Sequence, residues 1–248
     1  MVTSAQSASP PDGPPPSVQR RLQALWDEVA RAGGVMPSEP ALAATLSMSR
    51  PALREALVRL EERGYIHRRK GADTVVNTSL LDVPARFDQR IDQSELIAAM
   101  GRTPTLDVLA SEISAISSQE AREYELPPET QVLRVAKRWS ADGLPVMLAR
   151  DAIRIGPGID PDDVDPARSL FEIAPELTGE RIEWEIAWPS AAALGDQDAE
   201  RLDQPSGEPV LTLDATGVSR LGRVGYWTSE IHLPGAFRYA MIHRTGRT

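Results

Sequence analysis

Two arginines four residues apart, Arg50 and Arg54, follow Ser49 at the start of a run in which Leu53, Ala56, Leu57 and Leu60 recur at helical spacing. On a helix that spacing puts both guanidinium groups on one side, beside the apolar stripe. A guanidinium is a planar fork that matches paired acceptors, on a phosphate or on O6 and N7 of guanine. A good bidentate pair contributes about 1–3 kcal/mol of base discrimination. Arg59 and Arg63 lie further along and suit phosphate or solvent. The bland alternative, that these are ordinary solvated charges, is open on charge alone.

A second basic group, His67, Arg68, Arg69 and Lys70, ends at Gly71. At a hairpin tip it suits phosphates or a minor groove, and Gly71 lets backbone approach closely. Ser38 and Ser49 stand at expected helix starts. Their hydroxyls can cap, and the N–H groups beside them suit phosphate. The candidate DNA contacts are Ser38, Ser49, Arg50, Arg54, Arg69, Lys70 and Gly71.

The elements that must position these residues can be read from periodicity. Leu22, Leu25, Trp26 and Val29 predict a helix that Gly33-Gly34 stops. A second helix follows Ser38, with Leu42, Ala43 and Leu46 inward, and a third follows Ser49 and ends at Gly64. Residues 65–69 and 74–76 read as short strands around a turn at 70–73. Helix, helix, turn, helix and hairpin within about 60 residues make a winged helix-turn-helix, whose third helix enters the major groove.

Charge supports a split. The 248 residues carry 27 Lys+Arg against 36 Asp+Glu, net −9, yet residues 17–78 hold 10 basic and 7 acidic residues while 79–248 hold 17 and 28. The absence of cysteine excludes a disulfide scaffold and thiolate metal sites. Three dispersed histidines suggest no metal cluster, and neither a metal nor a cofactor is expected. No apolar run approaches the roughly 20 residues of a membrane span, and the N-terminus lacks a signal pattern. The expected compartment is the cytoplasm, with no membrane partner. Residues 1–16, mostly Ser, Ala, Pro and Gly, are expected to be a disordered tail.

After a linker over 79–90, residues 91–248 read as α+β with a mostly antiparallel sheet. Strands are expected at 106–116, 132–140, 145–153, 181–191, 210–218, 223–233 and 237–243, with a hairpin at Ala141-Asp142-Gly143 and a helical turn at 170–173. On the 132–140 strand Leu133, Val135, Lys137 and Trp139 share one face, and Arg134, Ala136 and Arg138 the other. Lys137 continuing an apolar face fits either a pocket cation or a strand-end lysine that snorkels to water. Trp139, Trp184, Trp188 and Trp227 fit either a flat, apolar ligand or plain core. The effector-binding candidates are Lys137, Trp139, Trp227, Glu230 and Tyr239.

Ordered blocks over residues 18–77 carry a resemblance. Pro37-Ser38-Glu39, Leu42-Ala43, Met48-Ser49-Arg50, Arg54-Glu55-Ala56-Leu57, Leu60 through Ile66 and Arg69-Lys70-Gly71 resemble the DNA-binding domain of the GntR family of bacterial regulators. The resemblance implies DNA contacts by Ser49, Arg50, Arg54 and Gly71. Pro40 departs from it, since the family has arginine after Pro-Ser-Glu, which implies a lost contact and an altered operator. Gly101-Arg102-Thr103-Pro104, Leu126-Pro127-Pro128, residues 132–135, residues 142–146 and residues 207–211 resemble the UTRA effector domain of the HutC subgroup. That implies a chorismate-lyase-like fold, one small-molecule site per subunit and a homodimer. In sugar-phosphate-binding members arginines stand at the places of Lys137 and Trp139, and a glutamate at Ala149. Their replacement points to a flatter ligand, with a carboxylate paired to Lys137.

The expected protein is a ligand-responsive regulator, not an enzyme, that binds a pseudo-palindromic operator as a dimer and is released by a small molecule, with repression the family default. Two other readings remain: a dimeric DNA-binding protein without effector, and a lyase-like enzyme, for which no nucleophile–base pair stands out.

Overall fold

The computed structural model describes residues 18–69, 71–83, 85–86, 91–237 and 239–243. The expected tail over 1–16, part of the 79–90 linker and Lys70 lie outside them. The chain forms two compact units: one runs up to Val83 and resumes at Met241, the other spans Pro84–Ala240.

In the first unit, α1 (Val18–Arg31) turns Leu22, Trp26 and Ala30 into the core, each at most 3% exposed. α2 (Glu39–Thr45) starts at Ser38, but the Ser38 side chain makes no capping hydrogen bond. Pro40 lies in that first turn and has no N–H, so one fewer donor asks for a cap. α3 (Arg50–Glu62) is capped as expected, with Ser49 Oγ accepting from the Ala52 N–H at 3.4 Å. Its Leu53, Ala56, Leu57 and Leu60 are buried against α1 and α2. Trp26 Nε1 donates to the Tyr65 carbonyl at 2.7 Å, and the two rings meet edge-on. β1 (Ile66–His67) and β2 (Val75–Val76) pair antiparallel as the wing. They are shorter than the sequence suggests, because Arg68 turns its N–H to Glu61 Oε1, at 2.9 Å.

The second unit is a six-stranded sheet, all antiparallel, with helices packed on it. In chain order come β3 (Ala85–Arg86), α4 (Gln93–Ala99), β4 (Pro104–Ala115), α5 (Ser118–Glu123), β5 (Gln131–Ala141), β6 (Leu144–Arg154), α6 (Leu170–Thr178), β7 (Ile182–Ala193), α7 (Asp196–Leu202), β8 (Pro209–Ser219), β9 (Val224–His232) and β10 (Tyr239–Ala240). The sheet order is β4-β5-β6-β9-β8-β7. Asp142 and Gly143 both take positive φ, +54° and +81°, the backbone a two-residue hairpin turn needs. A bulge between Trp139 and Ser140 then shifts the β5–β6 register by one residue.

Further elements differ from expectation. The expected 79–90 linker begins as a 3-10 helix over Thr78–Asp82, because Leu80 is buried in the winged-helix core, and it contains β3. The helical turn at 170–173 extends to Thr178 through Pro175, because Ile173, Ala174 and Leu177 are fully buried. The strand expected at 237–243 contracts to β10, which pairs in parallel with β3. Beyond it Ile242 packs against the winged-helix core, so the chain has left the ribbon.

Candidate DNA-reading and effector sites

The α3 cap leaves Arg50 and Arg54 exposed at the helix start. Arg54 Nε donates to Glu39 Oε2 at 2.9 Å, with the two side chains 67% and 39% exposed. An ion pair that wet is worth about 0–1 kcal/mol. A guanine or phosphate offering more can displace it, so Glu39 steers Arg54 without consuming it. Arg59 pairs with Glu55 one turn back, at 2.8 Å.

In the wing the basic residues diverge. Arg68 is held by Glu61 through its N–H and its Nε, the latter at 3.0 Å. Burial pushes Glu61 up, but these bonds outweigh it and keep the carboxyl below its ordinary value. Arg68 is therefore a structural pin. Arg69 is exposed, its Nε 3.3 Å from His67 Nε2. Gly71 has φ +76° with open space where a Cβ would stand. The glycine is required by conformation, and its backbone is approachable.

The second unit concentrates charge where solvent is absent. Strand register sets Val135, Lys137 and Trp139 of β5 beside Asp151, Ala149 and Met147 of β6, and these beside Thr228, Glu230 and His232 of β9. All nine are buried, and five of them are polar or ionisable. Lys137 Nζ donates to the Arg168 carbonyl at 2.7 Å and lies 3.8 Å from Asp151 Oδ2. Asp151 Oδ1 accepts from Thr228 Oγ1 at 2.6 Å. Burial pushes the Lys137 ammonium below its ordinary value, against the pull of Asp151. Glu230 accepts from Gln93 Nε2 of α4 at 3.0 Å and lies 3.0 Å from His232 Nε2. His232 Nδ1 lies 3.0 Å from the Tyr239 hydroxyl. Trp139 Nε1 donates to Ser94 Oγ at 3.2 Å. Lys137, Trp139, Glu230 and Tyr239 thus belong to one neighbourhood under α4 and the segment carrying Arg168. Lys137 does not snorkel, being 2% exposed.

Trp227 does not join them. Its odd register on β9 sends it to the opposite face, which lines an open cavity of about 800 Å³ with Arg134, Arg150, Trp188 and Asp214. There Trp227 stacks on Tyr124, centroids 4.5 Å apart, and donates to Glu120 at 3.2 Å. The same carboxylate takes both Arg134 Nη atoms at 2.8–2.9 Å and caps α5, which holds Glu120 down at about 2. Burial pushes the Tyr124 hydroxyl up to about 12. Sequence reading missed Gln93, Asp151 and His232. Parity with Glu230 along β9 would have found His232. Asp151 depends on the β-bulge and Gln93 on α4 docking.

A winged helix joined to a buried-polar effector domain defines a DNA-binding transcriptional regulator. Residues 18–76 match the bacterial regulatory proteins, gntR family, and residues 99–238 match the UTRA domain. The chain belongs to the GntR family, in the branch that carries a UTRA domain. It is 26% identical to the probable transcriptional regulator PhnF of Escherichia coli over 184 residues, 73% of this chain and 74% of that one. It is 25% identical to the HTH-type transcriptional regulator Rv0792c of Mycobacterium tuberculosis over 216 residues, covering 84% and 77%. Solved structures share the fold: PhnF of Mycobacterium smegmatis (TM-score 0.58, 17% identity, 93% of this chain and all of that one) and YydK of Bacillus subtilis (0.66, 13%, 92% and 97%). These families and relatives are regulators of transcription, not enzymes. Among the described residues no helix is long and apolar enough to cross a membrane.

Proposed function

We propose that this regulator is a cytoplasmic repressor that binds a pseudo-palindromic operator as a homodimer and is released by a small molecule held over Lys137, Trp139, Glu230 and Tyr239. The carrying observation is the buried polar face. Ionised groups out of water cost several kcal/mol each unless partnered, so a fold that keeps Lys137, Asp151, Glu230 and His232 together there retains them for a use beyond stability. Ala149 lies between Lys137 and Glu230 in the register, a small side chain between opposite charges. Both groups already have protein partners, so the matching ligand carries an anion that competes with Asp151 for Lys137 and a donor that competes with Gln93 for Glu230. A flat carboxylate meets the first need and stacks on Trp139.

The operator contacts are assigned to Ser49, Arg50, Arg54, Arg69, Lys70 and Gly71, with Ser38 offering its backbone. Dimerisation is assigned to the sheet edges. β4 and β7 are twelve residues each and expose Val108, Leu109 and Ile113 on one, Trp184, Ile186 and Trp188 on the other. Long apolar edges are templates for pairing. Thermal melting of the full chain against a panel of aromatic carboxylates and sugar phosphates tests the effector assignment. A carboxylate should raise the melting temperature, and Lys137→Met should abolish the rise. A rise confined to phosphorylated sugars would overturn it. With no response to any compound, the effector-free reading takes its place.

A further inference from the structure

The sheet face opposite Lys137 carries a cavity that the proposed effector site leaves unused, wholly within the unit spanning Pro84–Ala240. Strand register lays its floor in rows. Arg134, Ala152 and Trp227 are successive cross-strand partners, and in the next row Arg150, Ser229, Asp214 and Trp188 are. Small Ala152 and Ser229 separate the large side chains and leave about 800 Å³, the scale of a small-molecule site.

The charges of this cavity are unevenly satisfied. Arg134 gives both Nη atoms to Glu120 and its Nε to Ser114 Oγ at 2.9 Å, and Arg150 pairs with Asp198. An anion would have to break these pairs. Asp214 and Glu112 are exposed in the same cavity, and among the described residues no arginine, lysine or histidine is paired with either. The Tyr124 hydroxyl senses the excess: burial pushes it up, and Glu123, Glu120 and Asp214 push it further, to about 12. Trp188 stands directly across from Asp214 and Trp227 one diagonal away, which brings their Cβ atoms within about 5–8 Å of its own. A carboxylate beside indole rings favours a cation with apolar substituents, since the charge meets the carboxylate and the N-alkyl groups meet the ring faces. We propose that this cavity is a second small-molecule site, selective for an organic ammonium cation, with Asp214 as its counter-charge and Trp188 and Trp227 as its aromatic walls. It stands apart from the effector assignment on the Lys137 face. Pairing along the β7 edge uses backbone groups and leaves the Trp188 ring in the cavity.

The test adds choline chloride to the full chain labelled at its indole nitrogens, with sodium chloride at equal ionic strength as the control. Each of the five tryptophans gives one indole N–H signal, assigned by Trp→Phe replacement. The signals of Trp188 and Trp227 should shift, and those of Trp26 and Trp139 should stay. The neutral isostere of choline, with a tert-butyl group in place of trimethylammonium, should shift none. Asp214→Asn should weaken the choline Kd about three- to fivefold, the scale of one exposed charge pair, with an unchanged melting temperature. Signals unmoved through the millimolar range, or moved equally by the isostere, overturn the site. Movement of Trp139 instead places the cation on the Lys137 face and also overturns it. Shifts that follow protein concentration rather than choline mean that a second copy covers the face, a third contrary result. Should Asp214→Asn fail to fold, the comparison of choline with its isostere on the unaltered chain decides.

Discussion

The two units handle charge in opposite ways. The DNA-reading unit keeps Arg50, Arg54 and Arg69 exposed, with Arg54 restrained by a surface pair. The effector unit buries Lys137, Asp151, Glu230 and His232 to 4% exposure or less and satisfies them with one another, with carbonyls and with α4. On the proposed function the difference follows from the partner. A polyanion is met at a surface, where phosphate contacts displace counterions and binding falls steeply with salt. A small molecule is met in a desolvated site, where an unpaired charge costs enough to enforce selectivity.

The comparison can be broken at its buried side first. Asp151→Ala leaves the Lys137 ammonium without its carboxylate and should cost about 3–5 kcal/mol in urea unfolding. A loss under about 1 kcal/mol would mean Lys137 is hydrated and the contrast false. Next comes the acid limb. Glu120 falls from an ordinary 4.5 to about 2 through Arg134, with its side chain 19% exposed. Its stabilisation is complete above pH 4.5 and fades as pH falls through about 2. It amounts to roughly 3 kcal/mol at most, and Glu120→Gln should flatten that stretch of the stability–pH curve. On the exposed side, Arg54→Ala should weaken operator binding about 10–100-fold while the assembly state by light scattering stays unchanged. Unaltered affinity would make Arg54 a bystander. The smallest effect is expected from Arg69→Ala, proposed here as a phosphate contact. It should weaken specific and nonspecific duplexes alike and reduce the log–log salt slope by about one.

The winged helix was legible because its candidate DNA contacts lie on local elements. Ser49, Arg50 and Arg54 occupy one capped helix, and period and cap place them together. The buried face was half legible. Alternation along β5 puts Lys137 and Trp139 on one side, but what stands beside them is set between strands. Counting back from the Asp142-Gly143 turn without a bulge would face Lys137 with Leu148, whereas the bulge brings Ala149 there and Asp151 onto the same side. Trp227 shows the converse. Chosen for its ring, it lies on the other face by parity with Glu230, a test that β9 alone permits. Ser38 was placed correctly as an N-cap position, yet its hydroxyl does not cap, because Pro40 changes the donors of that turn.

The core that holds the recognition helix is completed by Ile242, although most of it is made by residues up to Leu80. On the ribosome those two contributions are separated by about 160 residues, some 8–30 s of synthesis at ordinary rates. The unit encoded first is therefore finished last. Truncated products made during that interval lack Ile242, so they carry a recognition helix on an incomplete core. The core beneath the recognition helix is thus complete only once the effector domain has been made.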